Sequence, residues 1–334
     1  MSVTIDQVLW TYRLILEREP EDLEAVGRHL VAADVGTLRR GFLASGEYRA
    51  REPVVQAATE EPGAARAAAS QPADAQEVGR FLDVSRINVQ VDCDEAERDA
   101  MLQRIAAEWQ KFGAEDPHWS VLVDDAFRSE NIKNNIEVFY NSGQSVVELV
   151  RSILGRAGLA DRSFKKVLDF GCGVGRLTLA LAARADEIVG VDISPLHLKA
   201  ATERAQEVGI ANAVFEPIDR VNDLDRYAGF DLVVSLIVLQ HNPPPVMAAL
   251  FGKLLAALAP GGIAVIQLPT YIEGYSFSVA DYLSRQQPAM EMNMLPQRAV
   301  FEIAERAGCR MLEVREDRMI GAMGVSQTFV MQRR

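Results

Sequence analysis

The sequence predicts an α/β protein: a mostly parallel sheet covered by helices on both faces, preceded by a small all-α unit. After Lys166, short apolar strands alternate with helical segments, the rhythm of consecutive strand–helix units. A glycine-rich turn, Gly171-Cys172-Gly173-Val174-Gly175, closes the first of these strands, at the sheet end where such folds carry ligands. Residues 1–50 repeat apolar side chains at helical spacing before the composition turns to Ala, Glu, Pro, Gln and Ser.

In order, Thr4 to Glu17 places Ile5, Val8, Leu9, Tyr12, Ile15 and Leu16 on one helical face, with Thr4 and Gln7 in the form of a capping box. Pro20 ends it, and shorter helices are expected over Asp22 to Leu30 and Thr37 to Ser45. Residues 51–93 read as a flexible linker, because few large apolar side chains are available to build a core. Helices are then expected from Asp94 to Phe112, through Leu102, Ile105 and Trp109, and again through Val146 to Leu154, closed by Gly158. The intervening Asp116-Pro117-His118-Trp119 and Phe139-Tyr140 read either as a lid over the sheet or as ordinary packing. Strands follow at Val167 to Phe170, Ile188 to Asp192, Ala213 to Glu216, Asp231 to Leu236 and Ile263 to Leu268, and a final pair at Met311 to Arg315 and Gln327 to Gln332.

Lys plus Arg number 35 against 47 Asp plus Glu, a net charge of −12, which argues against a nucleic-acid partner, since phosphate binding draws on clustered positive charge. Three scattered cysteines and four single histidines suggest neither a disulfide framework nor a zinc site. No apolar run approaches a membrane span or a secretory leader, so a cytoplasmic location is expected.

The glycine turn lets a ligand approach backbone that Cβ atoms would otherwise shield, and Asp192 ends the next strand where an acid can accept ribose hydroxyls. Ser194-Pro195 then starts a helix as N-cap and first turn. A dinucleotide pattern begun at Gly171 and Gly173 needs its third glycine where Arg176 stands, which weighs against a nicotinamide-dependent oxidoreductase.

The stretch Val167 to Arg176 and the acid at Asp192 resemble the first two motifs of class I S-adenosylmethionine-dependent methyltransferases, a Rossmann-like fold whose last strand is antiparallel. Phe230-Asp231-Leu232-Val233-Val234-Ser235 and Pro260-Gly261-Gly262 are similar to that family's fourth strand and its turn into the fifth. The resemblance spans roughly Phe139 to Arg334, and the chain after the linker is read as a helical lid or extension of the catalytic domain, 94–160, and a methyltransferase domain, 161–334. It implies S-adenosylmethionine as cofactor. Asp169 would lie near its amino group or organise the loop, Gly171, Cys172, Gly173 and Gly175 would pass under it, and Asp192 with Ile193 would hold the ribose side. Asp219 would meet adenine, Ser235 the methionine portion, and Tyr140 with Gly143 the carboxylate end. The first ~50 residues resemble a bacterial domain of unknown function related to phycobilisome-linker repeats, through Arg18-Glu19-Pro20 and Phe42 to Tyr48, and offer a site for a protein partner or self-association.

A sulfonium methyl is already activated, so no metal is required. A hydroxyl acceptor needs a base, and His241 is the histidine that stands beside a strand end; its other role is to fix the loop before Pro243-Pro244-Pro245. His197 and His29 read as surface or packing residues. The segment from Thr270 to Met294 reads as an insertion capping the acceptor, with Tyr271, Tyr275 and Glu291 as candidate contacts. The expected reaction is O-methylation of a small-molecule or glycan acceptor, with N-methylation or a cofactor-binding assembly module as alternatives.

Overall fold

A computed structural model describes Val8, Tyr12, Ala25, His29, Ala32, residues 35–43 and Ser45, then 88–159, 162–285, 290–321 and 324–334. The chain divides into two units, Met1–Asp83 and Val84–Arg334. In the first, Val8, Tyr12, Ala25 and His29 are helical and helix α1 runs Val35–Leu43, starting two residues before the expected Thr37. Phe42, buried, meets the Tyr12 ring edge-on at 4.8 Å and His29 at 4.4 Å, so His29 is a packing residue. The rest of the expected first two helices, and the linker reading of 51–87, lie outside the described residues.

Residues 88–93, read from sequence as the end of the linker, belong to the second unit. Val89 bridges Phe277, and Gln90 Oε1 accepts the Val279 N–H at 3.0 Å. Helix α2, Glu95–Glu115, follows with the Asp94/Glu97 capping box formed in both directions.

Helix α3, Ile132–Arg156, is longer than the sequence suggested and contains Phe139-Tyr140 and Asn141-Ser142-Gly143. Glycine at 143 does not break the helix. It permits contact, because a Cβ there would strike the Arg176 carbonyl, and Arg176 begins the helix that follows the glycine turn.

Seven strands form one sheet: β1 Phe164–Phe170, β2 Ala185–Asp192, β3 Ala213–Pro217, β4 Phe230–Ser235, β5 Leu258–Ile272, β6 Cys309–Glu316 and β7 Gly324–Arg333. Their order is β3-β2-β1-β4-β5-β7-β6. Strands β1 to β5 pair in parallel, and β7 runs antiparallel to both β5 and β6. The strands outreach the apolar runs that announce them because the hydrogen-bonded ladder continues into polar ends. Strand β5 shows this most, extending to Ile272 against Gly324, so Thr270 to Ile272 are sheet and the insertion starts later.

Between strands lie helices α4, Arg176–Leu181, α5, Pro195–Glu207, and α6, Pro244–Ala256; α7, Val279–Ser284, and α8, Gln297–Arg306, precede β6. Alternation along each strand splits the core. Leu168, Phe170, Val233, Ala264 and Ile266 pack on one face with Leu250, Phe251 and Leu254 of α6. Val167, Leu232, Val234, Ile263 and Val265 pack on the other with Val147, Val150 and Ile153 of α3. Because β2 and β3 lie to one side of β1 while β4 and β5 lie to the other, a crevice opens at the carboxyl ends of β1 and β4.

Candidate active site

That crevice is the mouth of a cavity of about 490 Å³. Its floor is the turn after β1. Gly171 and Gly173 adopt left-handed backbone, φ 75° and 53°, and a Cβ on Gly173 would lie 2.6 Å from Val121. Only glycine allows both the conformation and the approach. Asp192, ending β2, holds this turn to the next helix: Oδ2 accepts the Gly173 N–H at 2.8 Å and Oδ1 the Ser194 N–H at 2.9 Å. Ser194 is the N-cap residue of α5 as expected, but its own hydroxyl makes no capping bond.

Asp169, almost fully buried, accepts the Thr178 hydroxyl at 2.6 Å. Burial raises its pKa to about 6, against the pull of Thr178 and Arg176. Arg176 lines the same wall; its Nη1 donates to Ser142 Oγ at 3.2 Å, its Nε has no partner among the described residues, and burial lowers its pKa. Cys172 and Ile193 also line the cavity.

Other expected positions lie outside the wall. Gly175 caps α4 with φ 80°. Asp219 is exposed, its N–H donating to Asp223, and the cavity is lined by its neighbour Ile218. Ser235 is buried beneath Leu236, Ile237 and Val238, which take its place. Tyr140 donates to the Val174 carbonyl at 3.1 Å and carries Arg204 over its ring: it braces the glycine turn from behind.

The rest of the lining is apolar. Leu102, Ile105 and Trp109 of α2, Val121 to Val123, Val146 and Leu149 of α3, Met290, Met292 and Met319 form it, with Val121 reaching the Gly173 turn. His241 projects here with its ring edge-on to Trp109 at 5.4 Å. Its Nδ1 lies 3.3 Å from the Glu291 carbonyl oxygen, and burial lowers its pKa, so the ring is neutral at pH 7. Glu291 thus stands behind His241 through its backbone, while its carboxylate pairs with Arg285. Tyr275 is turned to Asn293, 2.6 Å away, and Tyr271 pairs within the sheet; neither lines the cavity.

Sequence reasoning missed His197, Trp109 and Arg176 as wall residues. His197, read as surface or packing, is buried, lines the cavity, and bonds Ser120 Oγ at 2.8 Å through Nε2. Its place in the first turn of the helix after Asp192 was the available signal. His118 packs against Phe139 at 5.0 Å, and Arg128 lies over Trp119, so these aromatics serve packing while Ser120 to Val123 form the wall.

A glycine turn at the carboxyl end of β1, bridged by an acid to the helix after β2, defines a class: α/β proteins that hold a ligand in the crevice where the strand order reverses. Residues 167–262 match the family model of a methyltransferase domain. Ubiquinone biosynthesis O-methyltransferase of Psychrobacter arcticus is 31% identical over 206 residues, 59% of this chain and 72% of that protein. Chloroplastic tocopherol O-methyltransferase of Arabidopsis thaliana is 27% identical over 176 residues, 51% of this chain and 46% of that protein. Magnesium protoporphyrin IX methyltransferase from Synechocystis PCC 6803 with bound SAH shares 21% identity at a TM-score of 0.49, covering 70% of this chain and 99% of that one.

The chain belongs to the S-adenosylmethionine-dependent methyltransferases. It is an enzyme, and S-adenosylmethionine is its cofactor. The residues present fit that cofactor: the Gly171 to Gly173 turn leaves room beside Asp192, Ile193 and Ile218 offer apolar wall, and the buried Asp169 carboxyl is the group that would meet a cationic arm. Among the described residues no helix is long and apolar enough to cross a membrane, and no cluster of His, Cys, Asp and Glu is arranged to hold a metal.

Proposed function

We propose that the chain methylates a hydroxyl oxygen of a small molecule with an apolar body, and that His241 is the base. The observation that carries this reading is an imidazole in an apolar wall, its pKa lowered by burial, with Nδ1 engaged by the Glu291 carbonyl and Nε2, which the Gln240 amide approaches only to 3.5 Å, as the nitrogen for the acceptor's proton. The cofactor supplies an activated methyl group when bound. The chain's own task is to align the acceptor oxygen, exclude water, and hold the proton released at Nε2.

The shape of the acceptor follows from the rim. Val123, Leu149 and Ile237 line the cavity yet are 66%, 40% and 46% exposed, an apolar doorway that favours an apolar body crossing it. A glycan would leave many hydroxyls unpaired against this wall. The two relatives named above are O-methyltransferases for ubiquinone biosynthesis and for tocopherol, and acceptors of that kind, a phenolic hydroxyl on an apolar body, are the first to assay.

The test is transfer of a labelled methyl group to phenols with and without alkyl tails, and to matched amines. His241→Asn is expected to lower kcat by about 10²- to 10⁴-fold with cofactor affinity unchanged. Full turnover by that variant, or transfer to amines alone, overturns the reading.

A further inference from the structure

A file of buried side chains runs from the sheet to His241. Gln267, within the apolar run of β5, is fully buried. Its Oε1 accepts the Ile237 backbone N–H at 2.7 Å, and its Nε2 donates to Ser326 Oγ at 2.6 Å and to Gln240 Oε1 at 3.0 Å. Gln240, 2% exposed, has its own Nε2 3.5 Å from His241 Nε2. On the far side of the ring stands the Glu291 carbonyl.

Both ends of this file have a fixed sense, because a backbone N–H only donates and a carbonyl only accepts. The Ile237 N–H obliges Gln267 to present its oxygen there and its amide hydrogens to Gln240. Gln240 must then turn its oxygen to Gln267 and its amide hydrogens to the imidazole. The Glu291 carbonyl accepts the Nδ1–H hydrogen bond. One neutral form of His241 satisfies both constraints, with the proton on Nδ1 and the lone pair on Nε2.

The same bond holds Ile237 in left-handed backbone, φ 62°, unusual for a β-branched residue. A buried amide in an apolar strand costs stability unless it is bonded, and both amide hydrogens and the oxygen of Gln267 are used.

We propose that Gln267 is a positioning residue for His241: acting through Gln240, it fixes the imidazole as the Nδ1–H tautomer and disfavours a proton on Nε2 in the resting enzyme. A hydrogen on Nε2 would face the Gln240 amide hydrogens, which Gln267 prevents from turning away. The inference rests on His241 as base and deepens it. Gln267 itself lines no part of the cavity. The other groups facing this region are Trp109 of α2, Glu291 paired with Arg285, and Glu108 of α2, which accepts the Met290 N–H at 2.6 Å. No carboxylate bonds the ring among the described residues.

The test uses the full chain with isotope-labelled histidine. Four histidines are present, and His241 is assigned by its loss in His241→Gln. Long-range proton–nitrogen correlation spectra at neutral pH should show His241 protonated on Nδ1 alone. In Gln267→Leu, Gln240 is free to turn, so the nitrogen shifts should converge toward tautomer exchange and the protonation midpoint should rise by about one pH unit. Gln267→Glu keeps an acceptor for Ile237 but loses the amide donor, and as the carboxylate it should give the same changes. S-adenosylhomocysteine affinity equal to that of the wild type certifies the fold of each variant.

A His241 spectrum unchanged in the folded variants overturns the proposal, as does a wild-type ring protonated on Nε2. If Gln267→Leu fails to fold, Gln267→Glu decides. No turnover is needed, so a fully active His241→Asn would remove the base while leaving the tautomer result intact.

Discussion

Around the glycine turn, the cofactor end in our reading, the cavity wall is made of backbone amides and two carboxylates, drawn from β1, β2 and the turns that follow them. Around His241, the acceptor end in that reading, it is made of side chains such as Trp109, Met290 and Met292, brought from helices and loops remote in sequence. The first end is polar and internally bonded, as when Asp192 ties Gly173 to Ser194. The second is apolar and rimmed by exposed Val123 and Ile237. The difference teaches that the cofactor end should tolerate little change, and that at the acceptor end the proposed base His241 stands in a wall that is open to variation.

The largest expected effect is at Asp192. Asp192→Ala deprives two N–H groups of a charged acceptor, each bond contributing about 1.5–3 kcal/mol, and removes the ribose partner; calorimetric titration with S-adenosylhomocysteine should show affinity falling by about 10²-fold or more. A loss under about fivefold would mean that the turn is held by other contacts, and the contrast between the two ends would fail.

Gly143→Ala comes next. Its methyl must displace the Arg176 carbonyl at the start of α4, so denaturant unfolding should show about 2 kcal/mol of lost stability, whereas Leu149→Ala on the exposed rim should cost under about 1 kcal/mol.

At the cofactor end, pH should move stability and cofactor affinity in opposite directions. Asp169 has a folded pKa raised to about 6 by burial, so the folded chain holds a proton that the unfolded chain has released. The stability this gives is present below the unfolded value and is lost as pH rises through 6. Cofactor binding should move oppositely: the ionised acid attracts a cationic arm, so affinity should fall by up to about tenfold per pH unit below 6. Asp169→Asn should flatten both curves; a binding step that persists in it would assign the titration elsewhere.

The smallest effect is at Ile237. Ile237→Gly relieves a left-handed β-branched residue that is 46% exposed, and should raise stability by about 1 kcal/mol while weakening turnover of tailed acceptors. A destabilised variant would show that the side chain packs more than its exposure implies.

Much of the cofactor end was legible in the sequence. The turn at Gly171 to Gly175 and the acid at Asp192 lie on adjacent strand–turn–helix units, whose local geometry follows from short-range sterics. Asp219 and Ser235 were less legible, because one residue along a loop decides whether a side chain faces the cavity or, as with Ile218 and Leu236, its neighbour does. Glu291, expected as an acceptor contact, does not line the cavity; it meets His241 through its carbonyl, which no side-chain identity announces. Gln267 carried a signal that went unused, a glutamine inside the apolar run Val265 to Leu268.

By itself the sequence determined the α/β class, the parallel strand–helix rhythm, the glycine turn that ends the first strand and the acid that ends the second, because each is encoded within about twenty consecutive residues. The tertiary structure alone decided which side chains line the cavity around His241, that Gly143 is a helix contact and not a break, and which groups face the two nitrogens of His241. Those properties depend on packing and hydrogen-bond direction between residues far apart in the chain, and neither spacing nor composition records them.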